Sequence, residues 1–168
     1  WNLDEQDKDL LEFTRTIMWL RRDHPVLRRR RFFTGDAGHG GESELGEIEW
    51  LTPAGESMTD QDWTTWYARA MMVFLNGEAI AEPDERGQRI VDNSFLVLIN
   101  ASDEDITFTL PGEGYSPTWK VALDTAPAVD GDSDPVLAAD ETVVVEARSM
   151  LFLMDAPDST ATTERLQH

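Results

Sequence analysis

The strongest constraint on the fold is a run of six apolar residues, Ala70 to Leu75, closed by Asn76-Gly77. A short continuous apolar run bounded by turn residues suits a strand buried on both faces, and it is too short to serve as a buried helix. Further strand signals surround it. Glu47 to Leu51 alternates and ends in a Pro-Ala-Gly turn at Pro53 to Gly55. Ser94 to Asn100 and Asp105 to Leu110 flank Ala101 to Glu104, which reads as a hairpin. Trp119 to Leu123 is another strand, and Glu141 to Glu146 with Met150 to Met154 reads as a second hairpin around Ala147 to Ser149. Short strands with no helix between them predict a mainly β protein. The expected form is an antiparallel, Greek-key-like β-sandwich of about seven or eight strands.

One helix precedes it. Asp4 can cap its start, and Glu5, Asp7 and Asp9 lie where carboxylates favour the positive end of the helix dipole. Leu10, Phe13, Ile17 and Leu20 recur at helical spacing, widened by Leu11, Thr14 and Met18, and Pro25 should stop the helix near Asp23. So broad an apolar face is expected to be covered, either by the domain that follows or by something larger.

Charge separates the two parts. Residues 1 to 31 are about +2 and the remainder about −21, within a total of −19. That total disfavours nucleic acid or an anionic membrane as partner. No segment approaches a membrane span and no signal peptide is visible. With no cysteine, disulfides and thiolate chemistry are excluded. The expectation is a soluble, cytoplasmic protein. Trp1 at the start, in place of Met, suggests a piece of something longer.

Several segments bear on chemistry. Arg28 to Arg31 could hold an anionic or acidic surface through planar guanidinium forks, and the simpler role is pairing with acids of the β-domain. Trp63, Trp66 and Tyr67 could stack against sugar rings; alternatively Trp63 anchors its loop against the sandwich. Asp60 and Asp62 suit capping of local N–H groups, with Arg69 as an ion partner. His39-Gly40-Gly41 lacks the G-x-S-x-G elbow that an esterase oxyanion loop accompanies. Asp130, Asp132, Asp134 and Glu141 have EF-hand spacing, but Pro135 stands where that loop needs glycine. No metal and no cofactor is expected, and the three histidines show no ligand spacing.

Met58-Thr-Asp-Gln-Asp-Trp63 followed by Phe74-Leu-Asn-Gly77, together with the LLEFTR and LRRDHP wording of the first helix and the arginine run, resembles the glycogen debranching enzymes of the isoamylase type, in the α-amylase superfamily of glycoside hydrolases. The resemblance extends from residue 1 to about 156. It implies that residues 1–25 correspond to the last helix of a (β/α)8 barrel and residues 26–156 to the C-terminal β-sandwich; residues 157–168, outside the resemblance, read from their own polar composition as a disordered tail. It further implies a parent enzyme that hydrolyses α-1,6 branch linkages in glycogen or limit dextrins, without an organic cofactor. In that family the catalytic carboxylates come from barrel strands, in motifs like G-x-R-x-D and N-H-D, and neither motif occurs here. No catalytic residue is therefore assigned. The expected partners are the barrel of the same protein and, through it, branched glucan, and dimerisation of the fragment through its helix is plausible. Two other readings stay open: an autonomous carbohydrate module using Trp63, Trp66 and Tyr67, and an interaction domain using Arg28 to Arg31.

Overall fold

The computed structural model describes residues 5–33, 45–65, 69–126 and 135–156. Helix α1 spans Glu5–Asp23, and Pro25 opens a single 3-10 turn, Pro25–Arg28. The strands are β1 (Ile48–Leu51), β2 (Ala70–Leu75), β3 (Phe95–Asn100), β4 (Ile106–Thr109), β5 (Thr118–Asp124), β6 (Val136–Ala138), β7 (Thr142–Val145) and β8 (Ser149–Asp155), with a five-residue helix α2 (Asp60–Thr64) between β1 and β2. They form a six-stranded sheet ordered β1-β2-β3-β8-β5-β6 and a two-stranded sheet β4-β7. Every pairing is antiparallel. The mainly β, sandwich-like architecture behind one N-terminal helix is the one the strand pattern predicts.

Both expected hairpins are corrected. β3 and β4 do not pair, and neither do β7 and β8; in each case the chain turns a corner from one sheet into the other. Asn100 is the physical reason. Its amide reaches the carbonyls of Glu104, Val145 and Glu146 at 2.9 to 3.0 Å, and its carbonyl oxygen accepts from the Ser102 N–H and hydroxyl. The Arg148 N–H then donates to the Ser102 carbonyl, and Arg148 takes φ 55° to make its turn. One buried side chain thus ties both corners together and satisfies the backbone groups that leave the ladders there.

Alternation along the strands sends Leu51, Met72, Phe74, Leu96, Leu98, Leu151 and Leu153 toward the small sheet, where they meet Phe108, Val145 and Leu110 in one core that also holds Trp119. The opposite face of the large sheet is apolar as well. Trp50, Val73, Val97 and Phe152 stand opposite one another across four adjacent strands, and Met71, Ile99 and Met150 form the next row. An antiparallel sheet usually turns a polar face outward. Here the outer face is apolar and partly closed: Val73 and Val97 are buried, Leu20, Val26 and Ile80 pack on Phe95 at one end, and Trp50 and Met150 stay exposed.

Helix α1 therefore meets the sandwich only at its C-terminal end. Leu20 is buried, whereas Leu10 and Met18 are 64% and 67% exposed, and Leu11, Ile17 and Trp19 are exposed too. The junction is fixed by Asp92, whose carboxylate lies 2.9 Å from the His24 ring Nδ1 and accepts from the Val26 N–H. Gly77 shapes the neighbouring turn. A Cβ there would overlap the Asp92 and Asn93 carbonyls.

The expected cap Asp4 and the tail lie outside the described residues. Strand β6 falls in a region the sequence reads as loop, and the acidic aromatic loop contains the short helix α2.

Candidate functional site

Two tryptophans, one anticipated and one not, come together at the free edge of the large sheet. Trp50 lies on β1, the edge strand. The Thr52 N–H donates to Glu56 O, Gly55 (φ 83°) closes the turn onto Thr52 O, and the Met58 N–H donates to Trp50 O. This arm folds the chain back so that α2 sits beside β1. Asp62 holds the start of α2, its carboxylate accepting the Thr59 N–H at 2.8 Å and the Thr59 hydroxyl at 2.7 Å. Those two bonds hold its carboxyl below the ordinary aspartate value. The outcome is an edge-to-face contact, Trp50 and Trp63 ring centroids 5.3 Å apart and planes inclined by 75°. Trp63 is 51% exposed and Trp50 39%. Trp63 is thus a surface residue packed on Trp50. Trp66 and Tyr67 lie outside the described residues. Trp50 was missed by sequence reasoning, although its place in an alternating strand puts it opposite inward-facing Leu51.

Arg69 pairs with Asp103 at 3.5 Å, so Asp103 takes the role expected of Asp60 and Asp62. The four arginines divide. Arg29 turns inward: Nη2 donates to Asn76 O at 2.8 Å, Nη1 lies 3.5 Å from the Glu47 carboxylate, and the guanidinium stands 4.9 Å from the Phe33 ring centre. Burial lowers its pKa, opposed by Glu47 and Glu82. Arg28, Arg30 and Arg31 line a cleft of about 390 Å³ whose other wall carries Glu82, Asp84 and Glu85. The Glu82 carboxylate accepts the Arg30 backbone N–H at 3.0 Å. Of the run, the Arg29 side chain pairs with an acid of its own domain, while the Arg28, Arg30 and Arg31 side chains are exposed beside Glu82, Asp84 and Glu85.

A smaller polar cleft of about 220 Å³ lies where β2, β3 and β8 end, lined by Asn76, Glu78, Glu113, Tyr115 and Asp155 among others. Burial pushes the Asp155 carboxyl up, opposed by the Asn93 and Ser94 bonds and reinforced by Glu78 and Asp92. Burial raises the Tyr115 hydroxyl likewise. Asp155 Oδ1 accepts from the Asn93 amide at 2.7 Å, so this carboxyl is engaged in closing strand ends. The EF-hand-spaced aspartates and the His39 loop lie outside the described residues, and Glu141 accepts the Ala138 N–H at 2.8 Å. Among the described residues no group of three or more His, Asp or Glu is arranged to hold a metal ion.

The family model for the isoamylase C-terminal region matches residues 47–156. A "Glycogen operon protein GlgX homolog" from Mycobacterium tuberculosis (strain ATCC 25618 / H37Rv) is 48% identical over 153 residues, which are 91% of this chain and 21% of that protein. An isoamylase from a Flavobacterium species is 24% identical over 92% of this chain and 20% of its own length. A pullulanase from Anoxybacillus sp. LM18-11, solved with maltotetraose, aligns over 91% of this chain at 12% identity with a TM-score of 0.48, too distant to bear on fold or ligand. The chain spans about a fifth of the length of the relatives it matches. With the strand pattern, the Met58 to Gly77 segment and the family match all falling on the same residues, the chain belongs to the isoamylase C-terminal domain family of glycogen debranching enzymes.

Proposed function

We propose that this domain supports the catalytic barrel of a glycogen debranching enzyme, one that hydrolyses α-1,6 branch linkages, and that it supplies no catalytic residue itself. In this reading residues 1–25 are the barrel's last helix, carried over into residues 26–156, and the enzyme works in the cytoplasm. The carrying observation is the uncovered apolar surface. Leu10, Leu11, Ile17 and Met18 of α1 are exposed, and on the outer sheet face Met150 is exposed too, with Ile99 and Phe152 half-buried. Exposed apolar surface of this kind marks an interface. In (β/α)8 enzymes the active site sits at the C-terminal ends of the barrel strands, and of the carboxylates lining clefts of this domain Glu82, Asp84 and Asp155 are engaged in its own structure. The whole-protein names of the relatives, a glycogen operon protein and an isoamylase, agree in direction.

The test is a chimera in which this chain replaces the matching region of the M. tuberculosis relative. Debranching activity is expected to persist. Leu10→Asp with Met18→Asp should abolish it, or cut the yield of folded enzyme severely, while leaving the isolated chain folded. Activity unaffected by the pair would overturn the proposed interface.

A further inference from the structure

The Trp50–Trp63 corner stands at the β1 edge of the outer sheet face, and its construction is costly. Residues 52–65 are ordered by a turn, a bridge from Leu51 to Ser57 and a capped helix, yet α2 contains no buried residue. Ordering backbone without burying side chains opposes folding. The arm bonds across to the small sheet, where the Thr109 N–H donates to Pro53 O, and it also fixes two indoles on the surface. We propose that this corner is an auxiliary binding site for a linear α-1,4-glucan segment, an inference that rests on the glucan-acting role proposed above.

The chemistry narrows the ligand. Indole faces take the C–H face of a pyranose, while the surroundings supply acceptors for hydroxyl donors. Asp60 and Asp62 precede Trp63 on α2, and the Asp62 carboxylate already accepts from Thr59. In a chain of net charge −19 such surroundings repel phosphate-bearing ligands and tolerate a neutral polyol. The geometry narrows it further. Rings inclined by 75° form a bent surface, not a flat one. An α-1,4-linked chain turns from one glucosyl unit to the next and can offer successive faces to a bent surface; a flat β-1,4-linked chain cannot.

The experiment is calorimetric titration of maltoheptaose into this 168-residue chain, with tryptophan fluorescence recorded in parallel and cellohexaose as the competing geometry. Maltoheptaose should bind and perturb the fluorescence, and cellohexaose should not. Trp63→Ala and Trp50→Ala should each weaken binding about tenfold or more, as removal of a tryptophan anchor does, and Trp19→Ala on α1 should leave it unchanged. Thermal melts of the same variants keep the result interpretable: Trp63 is half exposed, so its removal should leave the midpoint near that of the parent. No maltoheptaose binding by the parent chain, equal binding of cellohexaose, or undiminished binding by a folded Trp63→Ala would each overturn the proposal. Chimera activity is read separately, so an inactive chimera with a binding chain refutes the supporting role alone, and the converse refutes this site alone.

Discussion

The two faces of the large sheet are built from the same strands and end in opposite circumstances. On the inner face Leu96, Leu98, Leu151 and Leu153 are closed over by Phe108, Leu110 and Val145. On the outer face Phe95 is covered by Leu20 and Val26 and the central Val73 and Val97 are buried, while Trp50 and Met150 stay exposed. The difference teaches that apolar content along β2, β3 and β8 is set by two interfaces. One is internal to the domain, and the other is proposed to meet the barrel. Stability of the isolated chain should therefore track the inner face and its corners, and function of the parent should track the outer face.

The sharpest way to break that comparison is Asn100→Ala. It removes every bond that side chain makes at the two corners and leaves carbonyls such as Val145 O buried without that partner. A loss of about 3 kcal/mol or more is expected, measured by urea unfolding at constant m-value. A loss under about 1 kcal/mol, small for a buried group of this kind, would mean the corners are held by the strand ladders alone.

Next in size is Arg29→Met, at the seam between the 3-10 turn and the sandwich. The guanidinium meets Asn76 O and the nearly buried Glu47 carboxylate, so its removal takes a partner from each. About 2 kcal/mol should be lost. Arg31→Met, on an exposed neighbour in the same run, should stay within about 0.5 kcal/mol. Equal effects from the two would erase the distinction between the inward arginine and the cleft-lining ones.

On the outer surface the expected effect in the isolated chain is smaller still. Leu10→Asp and Met18→Asp fall on residues already in water and should change stability by no more than about 0.5 kcal/mol. The same pair is expected to be disabling in the chimera. That contrast between chain and chimera carries the argument.

Much of this was legible in the sequence because local pattern and tertiary role agreed. The strands other than β6, the stop at Pro25 and the turns at Gly55 and Gly77 follow from strand patterning and turn chemistry. The pairing of strands did not follow. A four-residue linker such as Ala101 to Glu104 looks the same whether it returns within a sheet or crosses to the other. The decision lies with Asn100, whose partners at Val145 and Glu146 are 45 and 46 residues away. The site was half legible for the same reason. Trp63 stands out as an aromatic in an acidic loop, but its contact with Trp50 exists only because the Met58 N–H returns to Trp50 O. The inward turn of Arg29, alone among four consecutive arginines, is likewise set by Glu47 and Asn76, remote in sequence.

The finest probe sits at the rim of the inner layer, where β8 ends in the polar cleft. Burial, with Glu78 and Asp92 nearby, raises the Asp155 carboxyl above its ordinary value of 3.8 despite the Asn93 and Ser94 bonds. A carboxyl whose folded pKa exceeds its unfolded one holds its proton more tightly in the native state. Between those two values the folded chain binds more protons, so stability from this group falls as pH rises through the window and stays lower at neutral pH. Asp155→Asn removes the charge and keeps an oxygen to accept from Asn93. It should raise the melting midpoint slightly at pH 7, and the gain should vanish as the pH drops toward 3.8, the ordinary value from which the shift is measured. A gain that persists undiminished in acid would locate the effect in packing, and a loss at pH 7 would show that the Asn93 bond needs the full negative charge at that strand end.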